Sequence, residues 1–142
     1  MANWRTPRRL ADQAEVRRRL GPEQLFAPHV ARLNRIVEEL RQLPGDGTTV
    51  SWFDPGGAGI HGRLLVLARD PSRVAHNGTG LISPDNPDHT ADNMSWLRDE
   101  AGLEPGELTH YVASCERAPR VQRALMGIAI MSSANATRSL PV

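Results

Sequence analysis

The chain has 142 residues, 39% of them apolar and 23% charged, with a net charge of +1, which gives room for one domain with one core and is far from a disordered composition. Its single cysteine, Cys115, excludes an internal disulfide, a zinc site built on several thiolates, and an iron–sulfur cluster held by this chain alone. No run approaches the roughly 18 consecutive apolar residues of a membrane span, and the first residues lack the apolar stretch of a secretory signal, so the expectation is a cytoplasmic protein with no membrane partner.

The chain contains no lysine, and six arginines crowd its first twenty residues: Arg5, Arg8, Arg9, Arg17, Arg18 and Arg19, against Asp12 and Glu15. An arginine-rich end binds phosphate backbone through counterion release, and Arg8 and Arg9 are the residues read here for DNA. The alternative is a solvated helix face. A first helix is predicted from about Pro7 to Leu20, with Thr6 as N-cap and Gly21 as its stop. Pro22 opens a longer helical pattern in which Leu25, Phe26, Val30, Leu33, Ile36, Val37 and Leu40 recur at three- to four-residue spacing. Pro28 falls inside it, as a kink or as the true start of a second helix. The stretch from Leu43 to Gly47 breaks the pattern.

Thr48 to Phe53 is short and β-prone, and ends at Asp54-Pro55-Gly56-Gly57. Leu64-Leu65-Val66-Leu67 is a continuous apolar run, the pattern of a strand covered on both faces in a parallel sheet. Asp70 to Thr90 is polar and rich in glycine and proline, and reads as one long loop. Thr90 is the candidate N-cap of a helix through Ala101, with Met94, Leu97 and Ala101 on one face and Gly102 as its stop. Leu108 to Ala113 is a candidate second strand, completing a strand–loop–helix–strand crossover and hence an α/β fold. From Cys115 onward the chain reads as a weak helix around the apolar run 124–131, then a frayed end.

The chemistry concentrates after the apolar strand. Asp70 stands where the chain leaves the sheet, and crevices beyond the carboxyl ends of parallel strands are where α/β folds place ligands. A carboxylate there, beside a glycine-rich loop, can orient or deprotonate a water. On position alone, a strand-end side chain capping the next turn is the commoner case. His61, His76, His89 and His110 are scattered, and their spacing to Asp85 and Asp88 fits no metal-ligand pattern, so neither metal nor cofactor is predicted. Gly56-Gly57-Ala58-Gly59 lacks the Lys-Ser/Thr of a phosphate-binding P-loop.

Several short features occur in a telling order. Trp52-Phe53-Asp54-Pro55 is followed by a buried-type strand ending in Asp70-Pro71, by Gly78-Thr79-Gly80-Leu81-Ile82-Ser83, by Asp85-Asn86-Pro87-Asp88-His89-Thr90-Ala91, and by Trp96 to Leu103. This order resembles the uracil-DNA glycosylase-like superfamily over roughly residues 51–103. The resemblance implies a parallel sheet flanked by helices, an incomplete three-layer α/β/α fold. The glycosylase-like part would span 1–113, and 114–142 would be an atypical tail. It implies a monomeric DNA-repair enzyme that flips uracil out of the helix and hydrolyses its N-glycosidic bond. By analogy Asp70 is the catalytic acid that orients water, and Pro71, Gly80, Leu81, Ile82 and Ser83 contact the extruded base or its phosphate.

The sequence departs from the family at three places. The acid directly precedes proline as Asp70-Pro71, Leu81 stands where an aromatic would stack on the base, and Thr109 to Pro119 replaces the asparagine-bearing segment that reads the uracil edge. The family's later histidine loop would fall beyond Val142. These departures imply a tail that is not family sequence after about Tyr111, through truncation or a shifted reading frame, and low activity or none. The alternatives are a non-catalytic nucleic-acid-binding module and an inert remnant.

Overall fold

A computed structural model describes residues 8–42, 50–68 and 71–112, with backbone alone for 110–112. Asp70, Cys115, the domain limit at residue 113 and the whole 114–142 tail therefore lie outside the described residues, as do Thr6 and Pro7. The fold is mixed α/β, with four α-helices and four short strands in two small parallel sheets among the described residues. None of these helices is long and apolar enough to cross a membrane.

The first helix starts later than predicted. A single 3-10 turn occupies Arg9–Ala11, and helix α1 then runs over Gln13–Leu20, its N-cap being Asp12, which accepts the Ala14 N–H at 2.8 Å. A cap carboxylate satisfies an otherwise orphaned backbone donor, which explains why the helix begins at the aspartate. Proline settles the second helical pattern as well. Pro22 begins the one-turn helix α2 (Pro22–Leu25), and after Pro28 the chain restarts as α3 (Ala31–Gln42). Of the two roles predicted for Pro28, the structure takes the second. Leu33, Val37 and Leu40 form the inner stripe of α3, packed with Val30, Val50, Phe53, Ala75 and Ile82 in the main core. A second cluster joins Leu10, Val16, Leu25 and Leu81 under α1.

Asn34 pins α3 to the first strand. Fully buried, it donates to the carbonyls of Leu25 (2.8 Å) and Phe53 (3.2 Å) and accepts the Phe53 N–H at 2.9 Å. Strand β1 (Trp52–Phe53) lies parallel to β3 (Leu81–Ile82), pairing Trp52 with Leu81 and Phe53 with Ile82. Trp52 is framed by the Phe26 ring, edge-on at 6.1 Å, and by the Arg41 guanidinium 4.2 Å from its ring centre.

Strand β2 (Leu64–Ala68) runs parallel to β4 (Leu108–Val112) in a continuous register from Leu64↔Leu108 to Ala68↔Val112. The crossover between them passes through α4 (His89–Glu100), as the strand–loop–helix–strand pattern predicts. Burial of β2 on both faces is not observed. Leu64 is 46% exposed, Leu65 36% and Leu67 39%, and successive strand residues point to opposite faces, so both faces of β2 are uncovered. The apolar run specified a strand; it did not supply the layers that would cover one.

Two more expectations are corrected. The stretch read as one loop contains a π-helical turn at Val74–Thr79 and strand β3. Helix α4 is capped by Asp88, two residues before Thr90, with its carboxylate accepting the Ala91 N–H at 2.8 Å. Its inward face is Ala91 and Ser95, while Leu97 is 51% exposed. The rotation follows from polar anchors: Asp88 also accepts from Ser72 Oγ (2.8 Å), and Ser95 Oγ donates to the Pro84 carbonyl (3.0 Å).

Replacing Asn34 with alanine removes its hydrogen bonds to the Phe53 N–H and to the carbonyls of Leu25 and Phe53 in the core. A loss of about 3 kcal/mol is expected, since each buried unpaired group costs roughly 1–3 kcal/mol. Urea unfolding checks it as a lowered midpoint with unchanged slope.

Candidate functional site

The parallel pairing of β1 with β3 places two polar residues side by side where those strands end. Asp54 follows Phe53 and Ser83 follows Ile82, and the Ser83 hydroxyl donates a short hydrogen bond to the Asp54 carboxylate. The other Asp54 oxygen accepts the Gly56 N–H at 2.8 Å, closing the turn through Pro55. A side-chain Cβ at position 56 would come within 2.6 Å of Arg19 Nη1, so this turn requires glycine.

Arg19 completes the group from α1. Its side chain is only 3% exposed, and each of its three nitrogens has a carboxylate: Nε donates to Glu15 (2.7 Å), Nη1 to Asp54 (2.7 Å) and Nη2 to Asp85 (2.8 Å). The solvated-face alternative therefore fails for Arg19. It holds for Arg18, which is exposed and bonded to Glu15 at 2.8 Å. Asp85 is positioned by its backbone N–H, which donates to Ser83 Oγ at 3.0 Å, while its carbonyl accepts the Leu10 N–H at 3.1 Å. One guanidinium thus joins α1 to the ends of both strands of the β1–β3 sheet.

The charges are tuned by this arrangement. Burial alone would lower the Arg19 pKa, but the charge of Asp54 and the hydrogen bonds to Glu15 and Asp85 outweigh it and hold it above its ordinary value. Burial pushes the Asp54 carboxyl up, against the opposing pull of Arg19, Ser83 and the Gly56 N–H. Hydrogen bonds from Arg18 and Arg19 hold Glu15 down, to about 2.

Beside this cluster opens a cleft of about 290 Å³, walled by Phe53, Ile82, Pro84, Pro105 and Leu108, with Arg9, Arg18, Arg19 and Arg98 supplying positive charge and Asp54 and Asp85 negative charge. It lies beyond the carboxyl ends of β1 and β3. It also reaches Leu108 and Thr109, which begin β4. Gly59 fixes the rim on that side: with φ +57 its backbone takes a conformation that suits glycine, its carbonyl accepts Thr109 Oγ1 at 2.6 Å, and its neighbour Ile60 N–H donates to the His29 carbonyl at 2.8 Å.

The sequence-predicted residues divide between places. Arg9 and Ile82 line the cleft, and Ser83 touches it through Asp54. Leu81 is fully buried against Leu10, Val16 and Leu25, while Pro71 and Gly80 are half-buried and outside the cleft lining. Arg8 is exposed and paired with Asp92. Asp70, the predicted acid, is not among the described residues. A different thread joins its neighbourhood to the loop after β3: Ser72 Oγ donates to Asp88 at 2.8 Å, and the buried Thr79 hydroxyl donates to Asn86 Oδ1 at 2.8 Å. Among the described residues, no group of three or more His, Cys, Asp or Glu is disposed to hold a metal.

Sequence reading singled out neither Arg19, Asp54 nor Asp85 as a site residue. The available signal was Asp-Pro-Gly-Gly directly at the end of a β-prone run, with Glu15 one helical turn before Arg19.

Arg19→Met leaves the buried Asp54 carboxylate without its cation and is expected to cost about 3–5 kcal/mol in chemical denaturation. Adding Asp54→Leu should return part of that loss, because the stranded charge is then gone. The pH dependence separates Glu15. Because its folded pKa is depressed, its stabilising effect is complete above the ordinary value of 4.5 and is lost as pH falls toward about 2. Glu15→Gln should flatten the stability profile in that window and leave the Asp54 contribution, of opposite sign, in place.

No protein-family model, no curated protein and no solved structure matches this chain.

Proposed function

We propose that the chain is a glycosylase-like DNA-repair domain that receives an extruded uracil near the carboxyl end of β2 and hydrolyses its N-glycosidic bond with water oriented by Asp70. The observation that carries this reading is the hydrogen bond from Ser72 Oγ to Asp88, 2.8 Å long. It ties the segment after β2 to the Asp85–Asp88 loop after β3. Two of the segments that resemble the glycosylases are thereby joined in space across sixteen residues of chain. The pairing of Trp52-Phe53 with Leu81-Ile82 brings two more together.

The chemistry assigns distinct tasks. Departure of uracil as an anion leaves positive charge on the sugar, and a carboxylate at position 70 stabilises that charge while it aims the attacking water. Flipping is required because the reacting bond is unreachable within the base stack. Leu81 and Ile82 are both buried in the core and offer no surface to a base. The half-buried Pro71 and Gly80 are the groups left to meet the base. Arg9, exposed and without an acidic partner among the described residues, is the cation assigned to the DNA backbone, whereas Arg8 is engaged by Asp92.

Incubation of the full chain with a uracil-containing single-stranded oligonucleotide, followed by alkali, should give strand breaks. Asp70→Asn should reduce them by roughly 10²–10⁴-fold, the usual contribution of a positioned acid or base. A folded wild-type protein that gives no breaks would remove the enzyme reading. Salt-dependent DNA binding without breaks would identify the non-catalytic module instead.

A further inference from the structure

The 290 Å³ cleft lies at the amino end of β2. Leu108, in its wall, pairs with Leu64 at the start of β2, whereas the chain runs on to Asp70 from Ala68 at the other end. With a rise of roughly 3.3 Å per strand residue, the two ends of β2 are separated by about 13 Å.

We propose that this cleft binds a nucleoside monophosphate group, either as a free nucleotide or as the phosphorylated end of a DNA strand. Its lining carries four arginines against two carboxylates. Both carboxylates are already engaged: Asp54 by Arg19, Ser83 and the Gly56 N–H, and Asp85 by Arg19. Arg19 in turn has a carboxylate on every nitrogen and a side chain only 3% exposed, so it acts as a scaffold that offsets part of the negative charge of Asp54 and Asp85.

The free cationic capacity lies with Arg9 and Arg98. Arg9 is exposed and has no acidic partner among the described residues. Arg98 bonds Asp99 through Nε and Nη2, which leaves Nη1. Arg18 is spent on Glu15 and Gln24 and contributes charge alone. Glu15 and Asp99, the partners of Arg18 and Arg98, are not part of the lining. Two guanidinium groups in one cleft are a common recognition set for a phosphate.

The remaining walls are apolar. Pro84 and Pro105 offer flat ring faces, and Leu108 and Ile82 close the floor. A phosphate held between Arg9 and Arg98 would leave its sugar and base against these surfaces. At 290 Å³ the cleft is at the small end of the ~300–1,000 Å³ typical of ligand sites, which suits one nucleotide and no more.

Calorimetric titration of the full chain with thymidine 5′-monophosphate should show binding, and thymidine should bind at least ten times more weakly. Arg9→Glu, a change at an exposed position, and the double variant Arg9→Gln/Arg98→Gln should each weaken the nucleotide at least tenfold, with circular dichroism unchanged. A 5′-phosphorylated oligothymidylate that outcompetes the free nucleotide assigns the site to DNA ends; the reverse order assigns it to free nucleotides. Asp70→Asn should bind the nucleotide as wild type does, so loss of strand cleavage and loss of nucleotide binding are separate failures. No measurable binding, equal binding of thymidine and its monophosphate, or undiminished binding in both folded arginine variants would overturn the proposal.

Discussion

The described structure depends on placing one guanidinium where water cannot reach it. A buried arginine is tolerable only when its charge is matched and its donors are used, and Arg19 meets three carboxylates. Each comes from a different part of the chain: Glu15 from the preceding turn of α1, Asp54 from the end of β1, and Asp85 from the loop beyond β3. The consequences spread outward. Position 56 must be glycine to let the guanidinium approach, Ser83 must turn toward Asp54, and Leu10 and Val16 are brought down onto Leu81. Such a cluster adds little net stability over an apolar replacement, whereas removing one partner alone leaves a buried charge uncompensated.

The β2–β4 pair presents the opposite situation. Its register is continuous over five residues, yet the leucines of β2 are exposed on both faces. Parallel sheets are ordinarily covered on both sides, because the crossover segments that make them parallel also lie across them. Here the one described crossover helix, α4, turns Ala91 and Ser95 inward and leaves Trp96 and Leu97 substantially exposed. The polar anchors that fix the rotation of α4, Ser72 to Asp88 and Ser95 to Pro84, bind it to the loops around β3. The helix serves the site-bearing half of the fold rather than the face of β2.

Local signals explain which features the sequence revealed. The apolar run at Leu64–Leu67, the stop at Gly102 (φ +66) and the second strand at Leu108 are properties of a few adjacent residues, and the structure has all three. Caps were legible in type and missed in position: Asp12 and Asp88 hold helices whose starts were assigned to Thr6 and Thr90. An aspartate wins such a choice when its second oxygen has a tertiary partner, as Asp88 has in Ser72, and no local pattern records that partner. The Arg19 cluster was illegible for the same reason. Two of its three acids are 35 and 66 residues away, and three consecutive arginines look equally solvated until packing buries one of them.

The polarity of the strands decides how the chemistry is distributed. β1 and β3 end where β4 begins, so Asp54, Ser83 and the arginines gather at the amino end of the β2–β4 pair. The segment that leads to Asp70 leaves from the carboxyl end of the same pair. The cleft and Ala68, the last residue of β2, therefore stand at opposite ends of that strand, and the contacts that build the cleft do not depend on how the chain leaves β2.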